Sequence, residues 1–525
     1  MDKKRLLSFG YFFKELPPVF NSLELGTKYA LIQNLPNATS SNLEFSIPKG
    51  QYSRRLLQLP HPINFIQIAN HICETSNWSI LTHHFEKSKF SHSRVIENTQ
   101  SGNHILAKDN RAIRTNYEKL SDSKEKTIVE SYDMIYELKL DITKYYPSIY
   151  THSIVWAILG KKRAKAMWKL KGAKSNEPDF PQYDFADKLD NYLRRCQDNQ
   201  SVGIPIGPDT SHIIAEIIGC YIDSQLQTEF PDVKAFRYFD DYYIYVDTEE
   251  KAQEALKYLQ KILADLQLSI NEHKLKIRRF PFEFQDTWVK EIHAVRFKTV
   301  NASNLKQYFS TLFGLADKNP DNSSTIFCYG LRTFEKRTIE IKDENWKIFE
   351  SFLLKSMLVE PSILEIASRI FETYKNSLSK EKIKTVLVKI LEIHCELNHH
   401  YETVWVLWIF KQLALELPED IPNKVINTGD NFSILLLLDM DKSNLIAGGG
   451  LSRQTKQSIT DFLDSAQTTD WLLYYEAVEI KKWIISTQRT GFDSLKNAKV
   501  SFYNQRAVIK THDNPKQKKI KGTKA

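Results

Sequence analysis

Two adjacent aspartates, Asp240 and Asp241, stand in the middle of the aromatic stretch RYFDDYYIYV. Neighbouring carboxylates repel each other, and a β-favouring segment gains nothing from them. A turn chosen for tightness alone would carry Asn-Gly or Asp-Gly. A divalent cation removes the repulsion. Mg²⁺ in particular takes hard oxygen ligands, few of them from protein, with substrate phosphates completing its octahedron. A third aspartate, Asp141, closes the apolar run MIYELKL and precedes ITKYYPSIY. Alone it reads as a helix cap or a turn residue. Carboxylates on two neighbouring strands, however, can hold two metals about 3.5–4 Å apart, which activate a 3′-hydroxyl and stabilise a leaving pyrophosphate. Asp141 at a strand end and Asp240 on a hairpin turn are placed for that chemistry.

The elements that must position these residues follow from hydrophobic period and from breakers. Residues 134–140 read as a strand ending at Asp141, and AFRYFDDYYIYV as two strands around a tight turn. Between them the pattern predicts helices over about 150–160, near 185–197 and over about 210–228, the last entered through the loop GIPIGP. Residues 249–267 form an amphipathic helix, with Ala252, Ala255, Leu256, Leu259, Ile262, Leu263 and Leu266 at helical spacing. Upstream, Tyr52 to Leu59 reads as a strand stopped by Pro60 and Pro62. A helix follows with Ile66, Ile68, Ala69 and Ile72 on its apolar side, and the polar stretch 120–127 reads as a loop. Beyond about 300 the pattern is nearly all helical: 343–358, 361–376, 380–397, 401–416, 453–466 and 470–486. Paired helices of this length predict an α-repeat array, without a strict sequence period.

The chain of 525 residues, 42% apolar and 26% charged, has the balance of a soluble protein with several cores. The longest strongly apolar run, Phe432 to Met440, is too short to span a bilayer. The opening MDKKRLLSFGYFFKELPP lacks the apolar core and cleavage site of a signal peptide, so neither secretion nor a membrane anchor is expected. The five cysteines, Cys73, Cys196, Cys220, Cys328 and Cys395, form no CxxC pair, which argues against a zinc site or disulfide framework and fits a reducing, cytoplasmic setting. Cys395 with His394, His399 and His400 reads as a helix end rather than a metal cluster. The net charge of +8 is concentrated: residues 160–174 hold seven Lys/Arg and no acid, and residues 506–525 hold seven Lys/Arg and one Asp. Such runs suit polyanion contact, against the plainer reading of a solvated helix face and a flexible tail. In the first run Lys161, Lys162, Arg163 and Lys165 are candidate nucleic-acid contacts. Trp168 could stack on a base or pack the insertion against its own domain.

Four stretches, in order, resemble the palm motifs of reverse transcriptases. LKLDITKYYPSIY is similar to motif A, GIPIGPDTS to motif B, YFDD (Tyr238 to Asp241) to the Tyr-x-Asp-Asp box of motif C, and LSINEHKLKI (Leu268 to Ile277) to motif D. The resemblance covers about 50–285. It implies an α+β right-hand polymerase: an N-terminal segment and fingers over 1–125, and a palm over 126–300 with the basic insertion at 160–184. By the same resemblance Asp141 and Asp240 would bind both Mg²⁺ ions, or Mn²⁺ in their place. The Ile142 carbonyl would help, and Asp241 would be the second, less indispensable carboxylate. Tyr146 matches the bulky steric gate that rejects a ribose 2′-hydroxyl, so deoxynucleotides are expected. Lys274 matches the motif D lysine, a candidate proton donor to pyrophosphate. Gly203, Pro205 and Gly207 would bring backbone close to a base or sugar. Arg111 and Arg114 are preferred over Arg54 and Arg55 as cations for the triphosphate. One departure stands out: Pro205-Ile206-Gly207 replaces the usual Pro-Gln-Gly, whose Gln lies near the template–nucleotide pair. That loss weakens the expectation of ordinary templated copying.

GYFFKELPPVF, DITKYYPSIYTHSI and GIPIGPDTSHIIAEI further resemble the bacterial antiphage reverse transcriptases, the abortive-infection and "unknown group" defence enzymes. This implies an all-α helical-repeat domain, here 301–505, in place of a conventional thumb, followed by the basic tail 506–525. It also implies RNA-directed DNA synthesis in defence, with a partner non-coding RNA, a DNA product and a homo-oligomer. Three alternatives stay open: template-independent or protein-primed synthesis on the same palm, a catalytically silent RNA-binding scaffold, and an RNA-dependent RNA polymerase, which Tyr146 disfavours.

Overall fold

The computed structural model describes residues 1–50, 53–99, 111–116, 120–170, 175–283, 286–295, 300–335, 340–465, 468–487 and 489–511. Residues 171–174 of the basic insertion and 512–525 of the tail lie outside the described residues, as does Tyr52 at the start of the expected upstream strand.

The chain begins with α1 (Lys3–Phe9) and α2 (Leu23–Lys28). An antiparallel hairpin follows, β1 (Leu43–Lys49) and β2 (Ser53–Leu59), with Leu43 opposite Leu59. Helix α3 (Pro62–Cys73) starts on Pro62, where a missing N–H costs nothing, and His61 accepts from the Ile63 N–H. Then come α4 (Thr75–Glu86) and a short antiparallel pair, β3 (Val95–Glu97) with β4 (Ile113–Thr115). The stretch expected as a polar loop is instead part of a helix, α5 (Leu120–Glu130). Its Lys and Glu are good helix formers, and Lys126 pairs with Glu130 one turn on at 3.5 Å, so polarity here marks exposure rather than irregularity.

Next comes a four-stranded antiparallel sheet in the order β6-β7-β5-β8, built from β5 (Tyr136–Asp141), β6 (Lys234–Tyr238), β7 (Asp241–Val246) and β8 (Lys276–Arg279). Between β5 and β6 lie α6 (Tyr145–Ser148), α7 (Ser153–Leu159), α8 (Lys161–Lys169), α9 (Phe180–Arg195) and α10 (Asp209–Glu229). Helix α11 (Glu249–Asp265) joins β7 to β8. Side chains alternate across a strand. Leu138, Leu140, Tyr242 and Ile244 are buried in one core with the apolar residues of α10 and α11. The alternate residues Glu137, Lys139, Asp141, Asp241, Tyr243 and Tyr245 therefore occupy the opposite face.

The remainder is helical: α12 (Thr287–Ala294), α13 (Ala302–Lys318), α14 (Ser323–Glu335), α15 (Asp343–Val359), α16 (Leu364–Thr373), α17 (Lys380–Glu396), α18 (His400–Gln412), α19 (Ile421–Asn427), α20 (Asn431–Lys442) and α21 (Arg453–Ser465). It ends with α22 (Trp471–Tyr474) and α23 (Asp493–Asn497). Each helix packs on the one two places ahead: α13, α15, α17, α19 and α21 form one layer, and α14, α16, α18, α20 and α22 the other. The apolar run at 432–440 lies inside α20, buried on all sides. The helix expected over 470–486 stops early. A wide π turn covers Tyr475–Ile480, and the N–H groups of Trp483 and Ile484 both turn back to the Ala477 carbonyl.

Two cores result. One belongs to the sheet and its helices, from Ile68 to Leu268. The other joins the helical layers to the N-terminal segment, so Leu6, Tyr11, Phe20, Phe45 and Phe65 share it with Trp405, Phe432 and Trp471. The two ends of the described chain are laced together: the Asn21 N–H donates to the Phe502 carbonyl and the Asn504 N–H to the Val19 carbonyl. No helix among the described residues is long and apolar enough to cross a membrane. No disulfide links the five cysteines.

Candidate active site

The strand register brings the aspartates together. Asp141 on β5 is the direct cross-strand partner of Asp241 on β7, and Tyr238 pairs with Asp241 to leave Phe239-Asp240 as a two-residue loop. Directly opposed residues carry their Cβ atoms about 5 Å apart. The Ile142 N–H donates to the Asp240 carbonyl at 3.2 Å, fixing motif A to the turn. Asp141 is buried; Asp240 and Asp241 are half-buried.

The electrostatics fit a cation site. Burial, then the neighbouring Asp241 and Asp141, push the Asp240 carboxyl up to about 6. Asp241 is raised by burial and by Asp141, against the pull of Lys274 and Lys139. Lys274 Nζ donates to Asp141 Oδ2 at 2.6 Å. Partial burial opposes the Lys274 charge, but the hydrogen bond to Asp141 and the three carboxylates hold its pKa above the usual lysine value. Asn271, not singled out in the sequence, donates from Nδ2 to Asp141 Oδ1 at 3.0 Å and from its main-chain N–H to the Asp141 carbonyl at 2.8 Å. Two carboxylates on one sheet face and a third on the adjoining turn, with a half-exposed ammonium as counter-charge, offer the hard oxygen ligands that Mg²⁺ takes.

Tyr145 and Tyr146 divide their roles. Tyr145 is core, its hydroxyl donating to the Ala215 carbonyl at 2.7 Å. Tyr146 is partly exposed, and the Asp240 charge lies close enough to join burial in raising its hydroxyl pKa. The loop with Gly203 and Gly207 is tied to Tyr146 and its helix: the Ile204 N–H donates to the Tyr146 carbonyl at 3.0 Å and the Gly203 N–H to the Ile149 carbonyl at 2.8 Å. Gly203 (φ +89°) and Gly207 (φ +136°) need glycine, but for internal reasons. A Cβ would lie 3.2 Å from the Pro147 carbonyl oxygen at the first and 2.9 Å from the Phe13 ring at the second. Ile206 packs into the N-terminal and helical core, and its carbonyl accepts from the Gln58 N–H at 2.9 Å.

Arg111 has a different task from the one expected. Its Nε donates to Asp209 Oδ1 at 2.7 Å, its Nη2 to the Gly207 carbonyl at 2.9 Å, and its Nη1 to the Phe12 carbonyl. The guanidinium is thus committed to holding the motif B loop. Arg114 lies half-buried on β4 opposite Ile96. Of the alternatives, Arg54 is bound to Glu402 on α18, whereas Arg55 is exposed on β2 and near enough to affect Tyr146.

The basic insertion forms α8, which packs on α7. Lys161 donates to the Asp265 carbonyl at the end of α11 at 2.8 Å, and Arg163 pairs with Glu177 and Asp179. These two cations are used internally. Lys162, Lys165 and Trp168 are exposed, Trp168 at 71%. Lys161 thus ties α8 to the C-terminal end of α11. At the turn between α17 and α18, His394, His399 and Glu402 bring ligand atoms within 4.8 Å of one another. His394 and His399 share a 2.8 Å Nδ1–Nδ1 hydrogen bond, Arg54 covers both oxygens of Glu402, and Cys395 turns towards Thr403.

Residues 109–301 match the family model described as reverse transcriptase (RNA-dependent DNA polymerase). The chain therefore carries a reverse transcriptase domain and is a nucleotidyltransferase of the RNA-directed DNA polymerase class. Among solved structures it is similar to apo telomerase from Candida tropicalis, at 12% identity over 66% of this chain and 68% of that chain, with a TM-score of 0.32. No curated protein matches the chain.

Proposed function

We propose that this protein is an antiphage reverse transcriptase that makes DNA on a partner non-coding RNA, works in the cytoplasm and assembles as a homo-oligomer. The observation that carries the chemistry is the register that pairs Asp141 with Asp241 beside the Asp240 turn. Asp141, Asp240, Asp241 and the Ile142 carbonyl are the metal ligands. Two Mg²⁺ ions, or Mn²⁺ in their place, would supply the positive charge that a 3′-oxygen and a departing pyrophosphate need. Tyr146 excludes the ribose 2′-hydroxyl. Lys274 is exposed enough to swing from Asp141 and hand its proton to pyrophosphate. Arg55 takes over from Arg111 as the cation for the triphosphate, with Arg114 on β4 as the second candidate. A cavity of about 550 Å³ on the carboxylate face offers the growing strand aromatic walls in Tyr243 and Trp288, with Lys139, Arg278 and Lys318 set among the acids Glu137, Glu283, Asp286 and Glu291. The exposed Lys162, Lys165 and Trp168 of α8 serve RNA retention. The two-layer packing of α13 to α22 supports the helical-repeat reading, and the antiphage role rests on sequence resemblance.

Wild type and an Asp240→Asn/Asp241→Asn double variant, purified from cells, test this reading. DNA made with Mg²⁺ and dNTPs by wild type only, lost after RNase and complementary to a bound RNA, supports it. Equal phage protection by both proteins would instead favour the silent scaffold. A second reading, untemplated or protein-primed synthesis, is favoured by one observation: Ile206, in the place of the template-side Gln, packs into the core. DNA made despite RNase, or remaining on the protein after denaturation, would select it.

A further inference from the structure

The loop that carries Asp240 is unusual for a hairpin. Its first residue, Phe239, has φ +57°, a region hairpin loops normally give to Gly, Asn or Asp. No glycine relieves it, so something else must hold the backbone there. Both main-chain polar atoms of Phe239 are clamped by side chains. Its N–H donates to Ser93 Oγ at 2.9 Å, and its carbonyl accepts from Arg237 Nη1 at 3.1 Å.

Arg237 is itself locked from beneath. It is 1% exposed. Its Nε donates to both carboxylate oxygens of Asp223 at 2.9 Å, and Nη1 and Nη2 donate to Glu216 at 3.0 and 2.9 Å. Ser88 steadies Asp223 at 2.6 Å, and Ser91 donates to Glu216. Glu216 and Asp223 lie on α10, among Ile213, Ile217 and Ile222, where a carboxylate persists only when paired. Gly219, on the same helix, makes room: a Cβ there would lie 2.5 Å from Arg237 Cζ. A free arginine would move aside, but this one is fixed on three sides.

We propose that Arg237 is a positioning residue for the metal site. By gripping the Phe239 carbonyl, with Ser93 on the N–H, it sets the direction in which Asp240 leaves the turn, and so the placement of its carboxylate beside Asp141 and Asp241. A rigid helix thereby orients a loop ligand before any cation arrives, the preorganisation that two-metal chemistry needs. This rests on the reading of Asp240 as a metal ligand. The plainer role, tying α10 to the sheet, predicts a loss of stability alone.

The test uses the full chain and three variants. Ser93→Ala removes the acceptor for Phe239 and changes no charge. Gly219→Ala displaces the guanidinium from a distance. Arg237→Lys keeps the charge but loses the fork. Mn²⁺ affinity is measured by calorimetry, and DNA synthesis is titrated with Mg²⁺. Expected are about tenfold weaker Mn²⁺ binding and a matching rise in half-saturating Mg²⁺ at unchanged dNTP KM, with kcat down by about 100-fold in Gly219→Ala, the size of effect a remote misplacement produces. Wild-type metal dependence in folded Arg237→Lys, or in folded Gly219→Ala, overturns the proposal whatever the melting temperature. Asp240→Asn is the separate control: if it retains synthesis and Mn²⁺ binding, the site reading itself fails, whereas an inactive Asp240→Asn beside an unperturbed Arg237→Lys sinks only the role of Arg237.

Discussion

Lys274 Nζ lies 2.6 Å from Asp141 Oδ2, although the lysine side chain is 53% exposed and Asp141 is nearly closed off from solvent. An ammonium with that freedom can guard the carboxylate and still reach a phosphate. Lys274→Ala should therefore lower kcat by about 100-fold, the lower end of a general-acid contribution. The melting temperature in EDTA should fall as well, because the nearly buried Asp141 loses its counter-charge, and added Mg²⁺ should restore it. Lys274→Arg should recover charge but not proton transfer. Single-turnover dNTP incorporation at fixed Mg²⁺ separates these outcomes.

Asp240 gives a prediction about stability. Its carboxyl is raised to about 6 by burial and by the other two aspartates. A raised acid binds more protons folded than unfolded, so its ionisation opposes folding as pH climbs from about 4 to about 6. The rise from the usual aspartate value corresponds to at most about 3 kcal/mol. In EDTA, Asp240→Asn should be more stable than wild type at pH 7.5 and equal to it near pH 3.5. Added Mg²⁺ should raise the melting temperature of wild type only. Denaturant midpoints at the two pH values, with and without Mg²⁺, check both statements.

Tyr146 stands beside Asp240, whereas Tyr145 is spent on the core. Tyr146→Ala should admit ribonucleotides with dNTP use retained, while Tyr145→Ala should chiefly unfold the palm. Unchanged sugar selectivity in Tyr146→Ala, measured by competing each rNTP with its dNTP, would refute the gate.

The bridge from Arg54 on β2 to Glu402 on α18 joins two segments 348 residues apart, and Glu402 is 2% exposed. Arg54→Ala strands a buried carboxylate and should cost about 3–5 kcal/mol. Arg54→Ala with Glu402→Gln should regain much of that. A double-mutant cycle on urea midpoints reads the coupling directly.

On α8, Trp168→Ala with Lys165→Glu changes two exposed side chains for which no hydrogen bond or ion pair is found among the described residues. The melting temperature should stay within a degree or so, given that surface changes usually fall within about 0.5 kcal/mol. Co-purified RNA should fall if this face holds nucleic acid. Unchanged RNA content would remove α8 from the binding surface.

Local chemistry was legible in the amino-acid order. Asp141, Asp240 and Asp241 declare themselves because carboxylates in apolar strands need a reason, and the period-2 and period-3.6 patterns around them pointed to β5, to the β6–β7 hairpin and to α7, α9, α10 and α11, but not to the short α6 or to β8. The sequence also holds a signal that its motifs overshadow: Glu216 and Asp223 in an apolar helix demand a buried cation, and Arg237 is close at hand. What lay beyond the sequence were contacts whose partners are far apart in the chain. Arg111 looked free for a triphosphate until Asp209 and the Gly207 carbonyl closed around it. The N-terminal segment could be grouped with the fingers by position alone, but its packing partner could not be read: Phe20 and Phe45 meet Phe432 of the helical core. A residue's type fixes what it can bind, and its neighbours along the chain fix its local conformation. Which of its possible partners it takes is a competition among groups brought together only when the layers pack, and that was decided by the tertiary structure.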